Sequence, residues 1–249
     1  GGTVASVITH GAILRAVADY AFLAAGPDGS VAIAEAPQMD CDFEQIRAIT
    51  GLDAIVAFYD EVLGRELEVI DLRREAVVFQ DGIIVDRKKL PGDPLGYRAV
   101  DLGDKSFFTG SGLDPNRFRG ADYDPGPTAT QHSGGRNAYL LSETVLSADL
   151  VINLPKLKTH KKTGVTLALK NLVGINGDKN CSTRDEGVWF SDARAISSLR
   201  AVWSQARIAS RHASMPTGSA RSTCSFDDGS ELTRSRLSSL AIARSFSEG

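Results

Sequence analysis

The chain has 249 residues, of which 42% are hydrophobic and 24% are charged. This balance is typical of a globular protein and excludes a disordered or collagen-like class. The formal net charge is −3, so no general basic surface exists and nucleic-acid binding is disfavoured. No apolar run approaches the ~20 residues that span a bilayer, so membrane insertion is not expected.

The cysteines and the first residue bear on the cellular setting. Cys41, Cys181 and Cys224 form no CxxC pair and cannot make an even disulfide framework, which predicts a reducing, cytoplasmic location. Three cysteines also cannot hold a four-cysteine iron–sulfur cluster, so no such cluster is expected on this chain. The chain opens on Gly1 rather than Met, which is typical of a fragment.

The first third of the chain predicts alternating helices and strands. Apolar residues recur at helical spacing over 11–25, and short apolar runs of strand length follow at 30–35 and 67–72. A helical region over 43–63 is expected to break at Gly51. Further on, the turn at Asp81-Gly82 predicts a hairpin. This alternation predicts an α/β fold with a mostly parallel sheet flanked by helices.

Residues from about 86 to 137 predict a long loop. The stretch is rich in Gly, Pro, Asp and Arg, and loops of this length are often lids or binding loops. Arg117, Arg119 and Arg136 are candidates for closing over an anionic ligand together with His132. The alternative is a loop of polar turn-forming residues without a binding role.

The next elements lead into the most basic part of the chain. We expect a short helix over 140–146, a clear strand over 148–154 and a helix over 163–173 that ends at Gly174. No acidic residue occurs between Asp149 and Asp178, whereas five lysines do. We call residues 156–164 the Lys-rich segment.

The Lys-rich segment predicts an anion-binding site. If it is extended, Lys156, Lys158 and His160 lie on one side. Thr163 would cap the following helix, whose first turn exposes free backbone N–H groups that attract anions. The predicted anion-binding residues are therefore Lys156, Lys158, Lys161, Lys162, Thr163 and Gly164. The alternative is a solvated basic loop without a ligand.

Three further residues are candidates for catalysis or metal binding. His160 could act as general acid, metal ligand or anion donor. Lys170 could act as a base if burial lowers its pKa, although a surface lysine is an equal alternative. Glu35 follows its strand directly and could be a general base.

Carboxylates around Glu35 suggest a divalent metal. Together with Asp40 and Asp42, Glu35 could hold such an ion. Solvated loop carboxylates are the alternative. Cys41, between the two aspartates, is expected to be a small structural residue because no activating neighbour is evident.

The segment ADLVINLPKLKTHKKTGVTLALKNLVGINGDKN resembles the signature of the DUF362 family, in which a strand is followed by PKLKTH and a T-x-x-x-KN-x-x-G helix. Weaker similarity extends the resemblance to roughly residues 5–180. It implies an α/β fold, and some relatives are joined to ferredoxin-like modules or are iron–sulfur proteins. The family brings no known activity. This chain departs from it after GDKN, where CSTRDEGVWFSDAR replaces a histidine-bearing, glycine-rich segment.

The end of the chain has a different character. Residues 1–180 carry 19 basic and 24 acidic residues and form the predicted DUF362-like domain, whereas 181–249 carry nine arginines, no lysine and seven acids. Serine supplies roughly a quarter of this tail, and no strand or helical face can be followed. We favour translation out of frame after Asn180, with a disordered tail as the alternative. The sheet is then expected to be incomplete at its C-terminal end and followed by a poorly structured tail.

Two functions fit these patterns. The first is an enzyme acting on a small metabolite that bears phosphate or carboxylate, held by the Lys-rich segment. Neither GxxxxGK[ST] nor GxGxxG occurs, so ATP and NAD are not implied. The second is a non-catalytic electron-transfer accessory that docks a ferredoxin-like iron–sulfur partner through the same lysines.

Overall fold

The computed structural model describes residues 7–119, 123–160, 164–166, 168–178, 184–185 and 239–244. The helices are α1 (Gly11–Ala25), α2 (Phe43–Thr50), α3 (Leu52–Leu63), α4 (Gly126–Gln131), α5 (Glu143–Leu146) and α6 (Ala168–Leu172). The strands are β1 (Ser30–Glu35), β2 (Leu67–Asp71), β3 (Glu75–Gln80), β4 (Ile83–Lys89), β5 (Tyr97–Asp101), β6 (Phe118–Arg119), β7 (Ala138–Ser142), β8 (Leu150–Leu154), β9 (Lys158–His160), β10 (Gly164–Thr166), β11 (Arg184–Asp185) and β12 (Ser239–Arg244).

The early elements follow the sequence pattern closely. Helix α1 is capped by the His10 side chain, which accepts a hydrogen bond from the Ala12 N–H. Gly51, in the left-handed conformation at φ 67°, ends α2 and starts α3, as the predicted break requires. Asp81 and Gly82 both have positive φ and turn the chain between β3 and β4, so the hairpin prediction is confirmed.

The main sheet has four strands in the order β2–β1–β12–β8. Strands β1 and β2 pair in parallel, whereas β12 pairs antiparallel with both β1 and β8. A mostly parallel sheet is therefore not confirmed. The reason is that β12 comes from the far end of the chain and runs against β1, β2 and β8, which share one direction. The other paired strands that the structure describes form two-stranded antiparallel ribbons.

Apolar layers cover both faces of this sheet. Alternate residues of β1 point to opposite sides, so Val31 and Ile33 pack under α1 and α3, while Ala32 and Ala34 pack against Leu141 and its neighbours. Five of the six residues of β1 are buried, as expected for an inner strand covered on both faces. The mixed α/β class is thus confirmed, with α1 and α3 on one side and the β5–β7 ribbon together with α5 and α6 on the other.

The predicted long loop over 86–137 contains regular structure. Strand β4 continues to Lys89, and β5 and β7 pair into a ribbon whose buried residues join the core. Asp93 anchors this region because its buried carboxylate accepts hydrogen bonds from the hydroxyls of Ser142 and Thr144 and from the Thr144 N–H at 3.0 Å. The predicted helix over 140–146 is a strand followed by a helical turn, since Tyr139 and Leu141 alternate into the core from β7.

The tail also contributes to the sheet. Residues 239–244 form β12 between β1 and β8, so a strand exists where the sequence predicted none. Its sequence, SLAIAR, is too short to stand out by alternation alone. The predicted incompleteness and poor structure of the tail concern mainly residues 186–238, which lie outside the described residues.

Among the described residues, no helix has both the length and the apolar character that crossing a bilayer requires.

Candidate functional site at the carboxyl edge of the main sheet

Three strands of the main sheet end at the same edge. The pairing registers place Asp71, Glu35, Ser239 and Leu154 in one row across β2, β1, β12 and β8. Two strand spacings separate Glu35 from the end of β8, which is roughly 10 Å between backbones. We call this row and the segments that follow it the carboxyl edge. Glu35 and the Lys-rich segment therefore leave the sheet at the same level.

A buried arginine organises the loop that follows Glu35. Arg73 is only 3% exposed, and its Nη2 lies 2.7 Å from a carboxylate oxygen of Asp71. Its Nη1 donates to the carbonyl oxygens of Gln38 at 3.1 Å and Cys41 at 2.8 Å. Because Asp71 offsets the charge, this arginine acts as a clamp that holds the loop against the end of β2.

Cys41 lies in this clamped loop. Burial raises the pKa of its thiol to about 12; the nearby Arg73 guanidinium opposes this effect, and the carboxylates of Asp71, Glu35 and Asp40 add to it. The thiol is therefore protonated at neutral pH, as expected for a structural cysteine rather than a nucleophile. It packs with Ile8 and Ile46, beneath the segment that precedes α1.

The three carboxylates proposed for a metal occupy different environments. Glu35 is 5% exposed, whereas Asp40 and Asp42 are exposed. The Asp42 carboxylate caps α2 by accepting a hydrogen bond from the Gln45 N–H at 3.1 Å. Within the described part of the chain, no group of three His, Cys, Asp or Glu side chains is placed to hold a metal ion.

The described residues of the Lys-rich segment contribute to a two-stranded antiparallel ribbon and not to the start of a helix. Gly164 pairs with His160, and Thr166 pairs with Lys158, in the antiparallel ribbon of β9 and β10. The following helix, α6, begins at Ala168. The predicted helix start at Thr163–Gly164 is therefore wrong, because Gly164 belongs to a strand. Lys161, Lys162 and Thr163 lie outside the described residues, and only the backbone is described for His160 and Lys170.

Residues 7–9, which precede α1, contact both the loop after Glu35 and the region where β8 ends and β9 begins. The Thr9 hydroxyl donates to the Leu154 carbonyl oxygen at 2.7 Å, and Lys158 Nζ donates to the Val7 carbonyl oxygen at 3.0 Å. Ile8 of the same segment belongs to the small apolar cluster against which Cys41 packs. Lys156 is half-buried and makes no ion pair with any described residue. Residues 7–9 thus bridge from the loop after Glu35 to the lysines.

Asparagine side chains connect the DUF362-like sequence segment to the strands by hydrogen bonds. Asn171 in α6 donates to the Asn153 side-chain oxygen at 2.6 Å, and Asn153 donates to the Ala168 carbonyl oxygen at 2.7 Å. Asn176 is 2% exposed and accepts from the Leu140 N–H at 3.2 Å. Asn171 therefore holds α6 against β8, and Asn176 holds the residues after α6 against β7.

His132, proposed to take part in closing over a ligand, has a structural environment. It is 5% exposed, its Nδ1 lies 3.2 Å from the Asn137 side-chain oxygen, and its ring packs edge-on against Phe108, Phe118 and Tyr139. A small apolar cluster thus sits inside the predicted loop.

A cavity that the sequence reasoning missed lies next to the carboxyl edge. It measures about 530 Å³ and is lined by Arg73, Arg74, Arg87, Lys89, Tyr97 and Asp178, among others. The available signal was the spacing of Arg87 and Lys89, which share one face of β4 because strand side chains alternate. Nothing in the sequence indicated that Tyr97 and Asp178 would meet them.

Together, the fold and the edge define a mixed α/β domain in which the Lys-rich segment and a buried glutamate leave one edge of the main sheet. Residues 83–195 match the family model described as Domain of unknown function (DUF362), which supports the resemblance to this family. The match begins at β4 and ends 15 residues beyond Asn180, so its limits differ from the range of 5–180 over which the resemblance was traced. No curated protein and no solved structure matches the chain.

Proposed function

We propose that this chain binds a small metabolite bearing phosphate or carboxylate at the carboxyl edge of its main sheet, and acts on it as an enzyme. The observation that carries the proposal is the common level of Glu35 and the end of β8, from which the Lys-rich segment departs. Ligands of open α/β sheets bind beyond the carboxyl ends of strands. A buried carboxylate and several lysines that leave the same edge of the sheet supply a base and anion-holding charges.

The proposed roles follow from residue chemistry. The lysines at 156, 158, 161 and 162, with Thr163 and Gly164, hold the anion. The ribbon geometry removes the contribution of a helix N-terminus, so the side-chain charges carry the binding. His160 handles the proton, Glu35 is the base or a ligand of a divalent metal with Asp40 and Asp42, and Lys170 is a second candidate base.

The test is a titration with inorganic phosphate. Lys156→Ala and Lys158→Ala are compared with Lys88→Ala, which removes the same charge from an exposed position on β4. Each of the first two substitutions is expected to weaken phosphate binding about fivefold, the effect of losing roughly 1 kcal/mol from one charged contact. Lys88→Ala should leave the affinity unchanged. Equal affinities in all three variants would refute the proposal.

A second candidate function is docking of an acidic ferredoxin-like protein. Its support is the mixture of charge and apolar surface around the β9–β10 ribbon, where Leu157 is 60% exposed and Val165 is 47% exposed. Such a surface is suited to a protein partner, with charges that steer association. Binding of an acidic ferredoxin that weakens steeply with salt, without phosphate binding, would favour docking.

We also propose a reducing, cytoplasmic setting. Its support is Cys41, which the structure describes as a free thiol.

A further inference from the structure

We propose that the cavity beside β4 is a separate binding site for an organic anion with an aromatic or similarly flat apolar part. None of the lining residues belongs to the Lys-rich segment, so this inference does not depend on the proposed function. The cavity volume of about 530 Å³ falls in the range of small-molecule sites and is far larger than a bare phosphate needs.

Charge at the cavity is unevenly neutralised. Arg73 is clamped to Asp71, and Arg87 lies 3.4 Å from Glu75. Arg74 and Lys89 are exposed and have no ion pair with a described residue. Among the described lining residues, Asp178 is the further carboxylate. Two cations against one anion leave a net positive site, which favours an anionic group between Arg74 and Lys89.

The position of Tyr97 is held from both sides. Its hydroxyl donates to the Leu72 carbonyl oxygen at 3.0 Å and accepts from the Asp93 N–H at 2.9 Å. A Cβ on Gly177 would stand 2.2 Å from the Tyr97 ring, and a Cβ on Gly92 would stand 2.6 Å from its hydroxyl. The two glycines therefore let backbone pack directly on this tyrosine, so its ring is a fixed wall of the cavity.

The remaining lining residues form an apolar surface that suits the flat apolar part of the ligand. Met39, Leu90 and Pro91 contribute apolar surface beside the Tyr97 ring. The Arg74 guanidinium lies 5.8 Å from the centre of that ring, which brings the charge next to the flat surface. A ligand with an acid group and an attached ring satisfies both parts, whereas inorganic phosphate or a neutral ring satisfies one.

The experiment is a titration of the full chain with phenyl phosphate, inorganic phosphate and phenol. Phenyl phosphate should bind more tightly than either of the others. Arg74→Ala and Lys89→Ala should each weaken phenyl phosphate binding about fivefold, consistent with loss of one charged contact. Lys88→Ala is the matched control, because Lys88 points to the opposite face of β4 and does not line the cavity.

The double variant Arg74→Ala/Lys89→Ala separates this site from the Lys-rich segment, because it should abolish the preference of the chain for phenyl phosphate over inorganic phosphate. The inference is overturned if Arg74→Ala and Lys89→Ala behave like Lys88→Ala, or if phenol binds as tightly as phenyl phosphate. Circular dichroism of each variant ensures that a loss of affinity is not a loss of fold. Failure of this test leaves the inorganic phosphate test at the Lys-rich segment unaffected.

Discussion

At the residue scale, the loop after β1 shows how one side chain can set the chemistry of its neighbours. The Arg73 guanidinium donates hydrogen bonds to Asp71 and to three backbone carbonyls, so it stabilises the loop. Cys41 is left partly buried near the carboxylates of Asp71, Glu35 and Asp40. This arrangement disfavours the thiolate, and it is the physical reason for not proposing Cys41 as a nucleophile.

Alkylation kinetics test this assignment. With Cys181 and Cys224 replaced by serine, Cys41 should react with iodoacetamide at pH 8 roughly a hundredfold more slowly than glutathione, because its pKa near 12 leaves little thiolate. The raised pKa means that the rate should keep rising as pH increases through 10. Unfolding the chain in urea should restore the ordinary rate. If Cys41 in the folded chain reacted as fast as glutathione, its thiol would be activated and Cys41 would be a candidate nucleophile.

At the element scale, the DUF362-like segment contains lysines near the β9–β10 ribbon and asparagines that hold its helix in place. Lys158 lies on β9 and Lys156 just before it, whereas Asn153 and Asn171 tie α6 to β8. A sequence pattern cannot separate these roles, because both sets are polar and closely spaced. The ribbon itself was not predicted, since three-residue strands carry too little alternation to be recognised.

Asn171→Ala tests the structural half of the motif. Removing its amide should destabilise the chain by about 1–2 kcal/mol, because the Asn153 side chain loses a partner in a half-buried position. The measurement is the urea midpoint of unfolding. The control is Asn116→Ala, at an exposed 3-10 turn, which should change the midpoint less. If the two variants have the same stability, the asparagine contact contributes nothing to the fold and a ligand-binding role for Asn171 becomes the better interpretation.

At the scale of the whole molecule, segments near both ends of the chain pack against the main sheet or enter it. The segment before α1 bridges Cys41 and the β8–β9 connection, and β12 separates β1 from β8 within the main sheet. Without β12, those two strands would each expose a row of backbone hydrogen-bonding groups. The tail therefore contributes to the fold at residues 239–244, whatever the origin of its composition.

Ala241→Pro tests that contribution. Ala241 pairs with Ile33 on one side and Ile152 on the other, so proline there removes a backbone donor inside the sheet. We expect a loss of at least about 2 kcal/mol in the free energy of unfolding, from a buried carbonyl left without its partner. Ala241→Val keeps the N–H group and suits a strand, so it should destabilise the chain less than proline does. Identical unfolding midpoints for the proline and valine variants would mean that β12 does not stabilise the sheet.

The sequence by itself determined the local elements of the first third of the chain and the similarity of residues 83–195 to the DUF362 family model. Helical spacing, the glycine at position 51 and the Asp81-Gly82 turn act through neighbouring residues, so they can be read without knowing the fold. Only the tertiary structure decided that β12 enters the sheet, that Gly164 lies in a strand, and that Arg74 and Lys89 share a cavity with Tyr97. These outcomes depend on pairing between residues far apart in the chain, for which a short segment carries no local signal.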